Sequence, residues 1–223
     1  MNINNTSPIN FESKKINMTQ AREVCNLVQQ QCPYPSYWKQ GRIDFYKIIK
    51  ETPDVNLRNK KLSALAWEMK LVGGRLDGLR EFYLKYANEP FKYFTKLVQG
   101  VKKFQTLNCG EAARLTYMAC RVNDIAEEDA KVVDLEWIEK GKVIEMDHAI
   151  AKIKGIKGLY GIDALLNETS SLGNLAKIYK SKYVDEFQIP KGIQIQFTEK
   201  EIPKLSDEEA QELGKMFPEF LIK

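Results

Sequence analysis

The sequence predicts an α+β fold in which a series of helices precedes an antiparallel sheet. Apolar residues recur at spacings of three and four through most of the N-terminal half, a pattern typical of helices. After Cys109 the pattern changes, and short runs rich in Val, Ile and aromatic residues indicate strands. The chain has 223 residues, of which 43% are hydrophobic and 29% charged, so it can bury a sizeable core. We expect one compact body with a helical lead-in.

Boundary signals divide the N-terminal half into helices. Thr19 can cap a helix over residues 20–31. The segment Cys32-Pro33-Tyr34-Pro35 ends that helix, because proline disfavours helical geometry in the residue before it. Gly73-Gly74 separates two later helices, and Pro90 suits the first turn of another. The later helices are expected over residues 42–49, 57–71, 76–87 and 90–104.

Helices and strands are mixed in the C-terminal half. Runs of β-branched and aromatic residues predict strands over residues 131–137, 148–153, 159–165 and 193–197. Helical periodicity predicts helices over residues 110–121, 172–179 and 206–216. The last of these helices begins with a capping-box pattern formed by Ser206 and Glu209.

Three regions follow from this order of elements. Residues 1–17 are rich in Asn and Ser and indicate a loose N-terminal arm. Residues 18–104 form a helical region, and residues 105–223 form a core of helix and sheet. The last two regions can fold together as one compact domain.

The charge and hydropathy patterns exclude several classes of partner. The net charge of +4 is spread along the chain rather than concentrated in a tail, so we expect no nucleic-acid partner. No apolar run approaches the roughly 20 residues that cross a bilayer, so no membrane span is expected. The N-terminus lacks the layout of a secretory signal, which predicts a cytoplasmic protein or one exported without such a signal.

Cysteine and histidine usage argues against metals and disulfides. The cysteines Cys25, Cys32, Cys109 and Cys120 are few and irregularly spaced, and the chain has a single histidine. The sequence therefore lacks a typical set of zinc ligands, and we expect no metal and no cofactor. A Cys25–Cys32 disulfide is disfavoured, and Cys25 and Cys120 are expected to be buried, inert thiols.

Cys109 has the position of an activated nucleophile. It opens the predicted helix in the sequence Asn108-Cys109-Gly110-Glu111-Ala112-Ala113. The partial positive charge of a helix N-terminus favours the thiolate, and the free amides of the first turn can stabilise an oxyanion. A buried thiol without a chemical role is the alternative interpretation. Glu111 is explained by the helix dipole alone, and we do not assign it a catalytic role.

The single histidine, His148, and Asp163 complete a possible triad. If Gly155-Ile156-Lys157-Gly158 is a tight turn, position 150 faces position 163 across the two flanking strands. His148 and Asp163 then lie on one sheet face as diagonal neighbours, within reach of each other. Asp147 is the competing acid, but adjacent strand residues point to opposite faces, so Asp163 is preferred.

These residues resemble the catalytic motifs of papain-like bacterial cysteine proteases and of deamidase-type toxins and effectors. The similarity lies in the sequences around Cys109, in Asp147-His148-Ala149-Ile150 and in Gly161-Ile162-Asp163, and it covers residues 108–165. It implies a papain-like core in which the cysteine opens a central helix that packs on an antiparallel sheet. It also implies that Cys109 is the nucleophile, His148 the general base and acid, and Asp163 the orienting acid.

The oxyanion hole departs from the papain pattern. Papain has a glutamine six residues before the cysteine, where this chain has Lys103. Gln105 and Asn108 are the available substitutes, and we favour Asn108 together with the Cys109 amide.

Three reactions are compatible with such a triad, since each proceeds through a thioester. The first is hydrolysis of a protein or peptide substrate by a cysteine protease, in the manner of a secreted bacterial effector, with residues 18–104 as a recognition or lid surface. The second and third are deamidation and transglutamination of glutamine by the same residues. A non-catalytic helical interaction protein is the alternative from a different class.

Overall fold

The computed structural model describes residues 14–31, 47–183, 189 and 192–223. The chain is α+β, as the sequence predicts. The helices with described bounds are α1 (Met18–Gln31), α2 (Val55–Leu84), α3 (Pro90–Phe104), α4 (Cys109–Val122), α5 (Leu172–Lys182) and α6 (Asp207–Met216). Short 3-10 turns cover Glu127–Asp129 and Pro218–Phe220. The helix expected over residues 42–49 is described only from residue 47, and it continues to residue 51.

The described strands form one antiparallel sheet with the order β4-β3-β2-β1-β5. Their bounds are β1 (Ala130–Glu139), β2 (Lys142–Gly155), β3 (Gly158–Asp163), β4 (Glu168–Ser171) and β5 (Ile195–Glu199). Strand β2 begins earlier than the sequence indicates, because Lys140 and Gly141 both have positive φ and pair Glu139 with Lys142 across a tight turn. The short polar strand β4 was not predicted.

Helices cover both faces of the sheet. Helices α1 and α4 pack against one face, and α5 packs against the opposite face beside β3 and β4. Gly161 of β3 allows this second contact, since a Cβ there would lie 2.5 Å from Leu175 of α5 and 3.2 Å from Ile150 of β2. The central strands are therefore buried on both sides.

The helical region and the sheet share one hydrophobic core. A single buried cluster contains Val24 of α1, Leu79 of α2, Phe94 of α3, Leu115 of α4 and Ile153 of β2. Helix α4 lies at its centre and is buried on nearly all sides. Residues 18–104, as far as they are described, thus pack as part of the same body as residues 105–223.

The segment before α1 differs from the expected loose arm where it is described. Ile16 is fully buried, and its carbonyl accepts a hydrogen bond of 3.0 Å from the Ile156 amide in the β2–β3 turn. Lys14 donates its amide to the Asp124 carbonyl at 3.2 Å. Ile16 and these hydrogen bonds therefore anchor the segment, although Lys14, Lys15 and Asn17 are exposed, and residues 1–13 lie outside the described part of the chain.

The helix break predicted at Gly73-Gly74 is wrong. Helix α2 runs without interruption from Val55 to Leu84. Its N-cap Asp54 accepts a hydrogen bond of 2.7 Å from the Leu57 amide. A glycine pair costs only about 1 kcal/mol per residue inside a helix, and the burial of the C-terminal half against α3 outweighs that cost. Tertiary packing thus overrides the local signal.

Candidate active site

Cys109 is the first residue of α4, at the position that the sequence predicts. The preceding Asn108 has the extended backbone of an N-cap residue, and its amide donates a 3.1 Å hydrogen bond to Oε2 of Glu111. The first turn of a helix has amides with no intrahelical acceptor. The Cys109 sulfur therefore lies beside backbone donors and at the positive end of the helix dipole.

Glu111 anchors this helix terminus to α2. Its Oε1 accepts hydrogen bonds from Arg80 Nε at 3.1 Å and from Tyr83 Oη at 2.9 Å. The carboxylate is almost fully buried, with 1% of the residue exposed. These three donors, including the Asn108 amide, account for the acid without any catalytic role. Sequence patterns gave no signal for Arg80 or Tyr83, because they belong to another helix.

The β2–β3 turn sets the register that the site requires. Gly155 pairs with Gly158 and Ala151 with Ile162, so the turn has two residues and parity places Ile150 opposite Asp163. The tight-turn prediction is confirmed. His148 and Asp163 meet as predicted, with 2.6 Å between Nε2 and Oδ2.

A β-bulge in β2 lies at His148. Asp134 of β1 pairs with Ala149, but Glu136 pairs with Glu145, so one residue of β1 faces three residues of β2. Bulges change the direction in which a side chain points, and they are frequent beside active sites. Sequence alternation cannot reveal such an insertion. The side chain of Asp147, the rejected acid, lies outside the described side chains.

Asp163 is buried and accepts hydrogen bonds on both oxygens. Oδ2 accepts from His148 Nε2 and, at 2.7 Å, from Tyr179 Oη, while Oδ1 accepts from the Leu166 amide at 3.0 Å. Burial alone would raise the pKa of this carboxyl, but the charge of His148 and these hydrogen bonds lower it. The carboxylate is therefore ionised, and an ionised carboxylate can only accept, which makes Nε2 the donor.

The thiol completes the constellation. The Cys109 side chain forms a hydrogen bond with the His148 imidazole. Because Nε2 is held by Asp163, Nδ1 is the ring nitrogen left for the sulfur. Burial alone would lower the pKa of His148, yet the charge and hydrogen bond of Asp163, with a smaller contribution from Cys109, raise it to about 10. The structure thus brings Cys109, His148 and Asp163 together in the predicted order.

The other described thiols have a different environment. Burial raises the pKa of Cys25 to about 11, and it raises the pKa of Cys120 further. Cys25 of α1 lies near the backbone of Asp163, with 3.9 Å between its Sγ and the backbone oxygen of that residue. Cys25, Cys109 and Cys120 are not joined in disulfides, and Cys32 lies outside the described residues. Cys109 alone of these three shares a hydrogen bond with the histidine.

The two oxyanion candidates have different surroundings. Gln105 is in the left-handed conformation at the end of α3, and its Nε2 donates to the Lys102 carbonyl at 2.6 Å. Its amide group is therefore already engaged. Asn108 adjoins Cys109 at the helix start and stays a candidate together with the first-turn amides.

The described part of the chain offers neither a metal site nor a membrane-spanning helix. Among the described residues, no group of three or more His, Cys, Asp or Glu side chains is placed to hold a metal ion. No helix in the described ranges is both long enough and apolar enough to span a membrane.

Comparison with protein-family models, curated proteins and solved structures found no match for this chain. The papain-like resemblance of residues 108–165 stays a prediction.

Proposed function

We propose that the protein is a cysteine hydrolase that attacks an amide of a protein substrate through a thioester intermediate. Cys109 is the nucleophile, His148 the acid and base, and Asp163 the residue that orients the imidazole. The observation that carries this proposal is the continuous hydrogen-bonded chain from the Cys109 thiol through the imidazole to Asp163 Oδ2. Such a chain is the arrangement that activates a weak nucleophile at neutral pH.

The geometry suggests the following sequence of steps. Because its pKa is about 10, His148 holds the proton at neutral pH, so the reaction starts from a thiolate beside an imidazolium whose other N–H donates to Asp163. The sulfur attacks the carbonyl carbon, and the first-turn amides beside Cys109 stabilise the resulting oxyanion. The imidazolium then protonates the leaving nitrogen, and an amine or ammonia departs to leave the thioester. Water, deprotonated by the imidazole, hydrolyses the thioester and regenerates the thiolate.

Peptide-bond hydrolysis is the first form of this activity, as the papain-like resemblance implies. Deamidation or transglutamination of a glutamine side chain is the second, and the burial of the reacting groups favours it. Only 7% of Cys109 and 4% of His148 is exposed. A carboxamide at the end of a flexible side chain reaches a recessed thiol more readily than a carbonyl within the main chain does. Mass spectrometry of a treated substrate separates the reactions: cleavage creates new termini, deamidation adds about one dalton to a glutamine, and transglutamination adds the amine.

Thiol alkylation tests the proposal without knowledge of the substrate. The native protein is treated with iodoacetamide or iodoacetate at neutral pH, and peptide mapping measures the rate at each cysteine. We expect Cys109 to react at least about tenfold faster than Cys25 or Cys120, because its sulfur alone is paired with an imidazole. Iodoacetate should show the larger preference for Cys109, since the imidazolium attracts its carboxylate.

His148→Gln and Cys25→Ala are the matched controls for this labelling. The first should remove the preference for Cys109, whereas the second should leave it unchanged. Equal labelling of Cys109 and Cys25 in the native protein would instead support the non-catalytic interaction protein, and the enzyme proposal would be dropped.

A further inference from the structure

Helix α5 presents one row of polar side chains to the sheet. Tyr179, Lys182 and Tyr183 are spaced three and four residues apart, so they lie on the same side of the helix. Tyr179 is fully buried, and its ring contacts the His148 imidazole edge to face, with 5.8 Å between the ring centroids. The row therefore faces the acid end of the candidate triad.

The hydroxyl of Tyr179 and the imidazole share one oxygen. Oδ2 of Asp163 lies 2.7 Å from Tyr179 Oη and 2.6 Å from His148 Nε2. A carboxylate oxygen that accepts two short hydrogen bonds cannot rotate without breaking both. The Leu166 amide donates to the other oxygen, Oδ1. Three hydrogen bonds therefore fix the orientation of the Asp163 carboxylate.

A second acid lies beside Asp163, and the same helix neutralises it. Glu168 is directly opposite Asp163 in the β3–β4 ladder, where like charges repel. Lys182 Nζ and Tyr183 Oη approach its Oε1 at 2.6 and 3.0 Å. Helix α5 thus provides separate donors to the two carboxylates and keeps them apart.

We propose that Tyr179 is a positioning residue of the active site. Its hydroxyl holds Asp163 in the orientation that turns Nδ1 of His148 towards Cys109, and its ring supports the imidazole from the side. This inference rests on the proposed function of Cys109, His148 and Asp163. Nothing in the local sequence indicates it, because a tyrosine on the apolar face of a helix is an ordinary core residue.

The titratable groups that face Asp163 determine whether loss of the Tyr179 hydroxyl raises or lowers the pKa of His148. They are His148 of β2, Tyr179 of α5, Glu168 of β4 and Cys25 of α1. Tyr179 stays neutral, since burial and the neighbouring Asp163 raise its pKa well above the ordinary value. Its hydroxyl withdraws charge from Oδ2. Removal of the hydroxyl therefore leaves a more basic carboxylate that attracts the imidazolium more strongly.

Tyr179→Phe tests the inference because it removes the hydroxyl and keeps the ring. The chain has a single histidine, so ¹⁵N-histidine labelling reports on His148 without overlap. We expect the variant to show a higher pKa for His148 and a further downfield Nε2 proton. We also expect alkylation of Cys109 to be about three- to tenfold slower, because the imidazole has lost part of its support. Simple loosening of the site would have the opposite effect on the pKa, since water entry returns it towards the ordinary value.

Tyr183→Phe is the matched control, because it removes a tyrosine hydroxyl from the same helix but from Glu168 rather than Asp163. Lys182 still donates to Glu168 in this variant, so the His148 spectrum and the alkylation rate should stay as they are in the unmodified protein. If Tyr179→Phe matches this control in both measurements while Cys109 stays reactive, the positioning role is wrong and the proposed function stands. If Cys109 is unreactive in every variant, the proposed function itself fails.

Discussion

At the scale of single residues, the ion pair of His148 and Asp163 makes the free energy of unfolding depend on pH. Asp163 raises the pKa of His148 to about 10 despite burial, whereas in the unfolded chain it is about 6.5. A group with a higher pKa in the folded state contributes fully below its unfolded pKa, and this contribution is lost as the pH rises towards the folded value. The pKa of Asp163 is lowered, so its contribution is present above about pH 4 and is lost as the pH falls through its folded pKa.

Asp163→Asn should remove this pH dependence. In the unmodified protein we expect the urea midpoint to fall between about pH 6.5 and 10, the window between the two pKa values of His148. The variant lacks the negative charge, so its midpoint should change much less across that window, and its His148 pKa should fall. Urea titrations at several pH values and histidine NMR measure both effects.

Asp134→Asn is the control for this prediction, because it removes a surface acid that is paired with Lys200 on the same sheet. Its pH dependence should follow that of the unmodified protein. An unchanged slope in Asp163→Asn would mean that the ion pair does not distinguish the folded from the unfolded chain.

At the scale of secondary structure, local signals predicted some elements and missed others for physical reasons. Pro90 and the capping box at Ser206 mark helix starts that the structure has at Pro90 and Asp207. The amino-acid composition around His148 does not indicate the bulge, because the bulge depends on how β2 pairs with β1. The contact of Tyr179 with Asp163 likewise depends on how α5 docks, which periodicity alone does not specify.

Gly74 of α2 and Gly100 of α3 differ in their surroundings, so substitutions at these two positions distinguish the effect of helix propensity from that of packing. A Cβ at Gly74 would meet nothing within 4 Å, whereas a Cβ at Gly100 would lie 2.6 Å from Leu79 Cδ1 and 3.1 Å from Phe82. Gly74→Ala should therefore stabilise the protein by about 0.5–1 kcal/mol. Gly100→Ala gains the same propensity but should destabilise by about 1–3 kcal/mol, because the buried Leu79 side chain and the Phe82 ring must leave their packed positions.

Chemical denaturation of both variants measures these differences in the free energy of unfolding. Stabilisation by both substitutions would show that α2 and α3 pack more loosely than the structure indicates. Destabilisation by Gly74→Ala would argue against a continuous helix at the glycine pair.

At the scale of the whole molecule, the site depends on contacts between regions that are distant in the chain. The sequence predicts Cys109, His148 and Asp163 as a group, since helix start and strand parity are local properties. It does not predict that Glu111 is held by α2 or that Asp163 is held by α5. The contact of Glu111 with α2 joins the helical region to the core, where both also share one apolar cluster, whereas the contact of Asp163 with α5 lies within residues 105–223.

We predict that residues 105–223 do not fold alone. Helix α4 is buried on nearly all sides, and α1 and α3 supply part of its cover. A fragment that begins at residue 105 would expose apolar surface of α4, including the buried Tyr117 ring, whose centroid lies 5.6 Å from that of Phe94 of α3 in the complete chain. Because a helix that is buried on nearly all sides needs cover on every face, we expect the fragment to aggregate or to lack a fixed tertiary structure.

Dispersion of the ¹H–¹⁵N spectrum of this fragment measures the prediction, with the full chain as the reference. Addition of a second fragment containing residues 14–104 should restore dispersion and the fast alkylation of Cys109, since it returns α1, the Arg80 and Tyr83 contacts to Glu111, and α3. A well-dispersed spectrum from residues 105–223 alone would instead establish that region as an independent domain. The helices of residues 18–104 would then be an attached element, free to act as a separate recognition surface or lid.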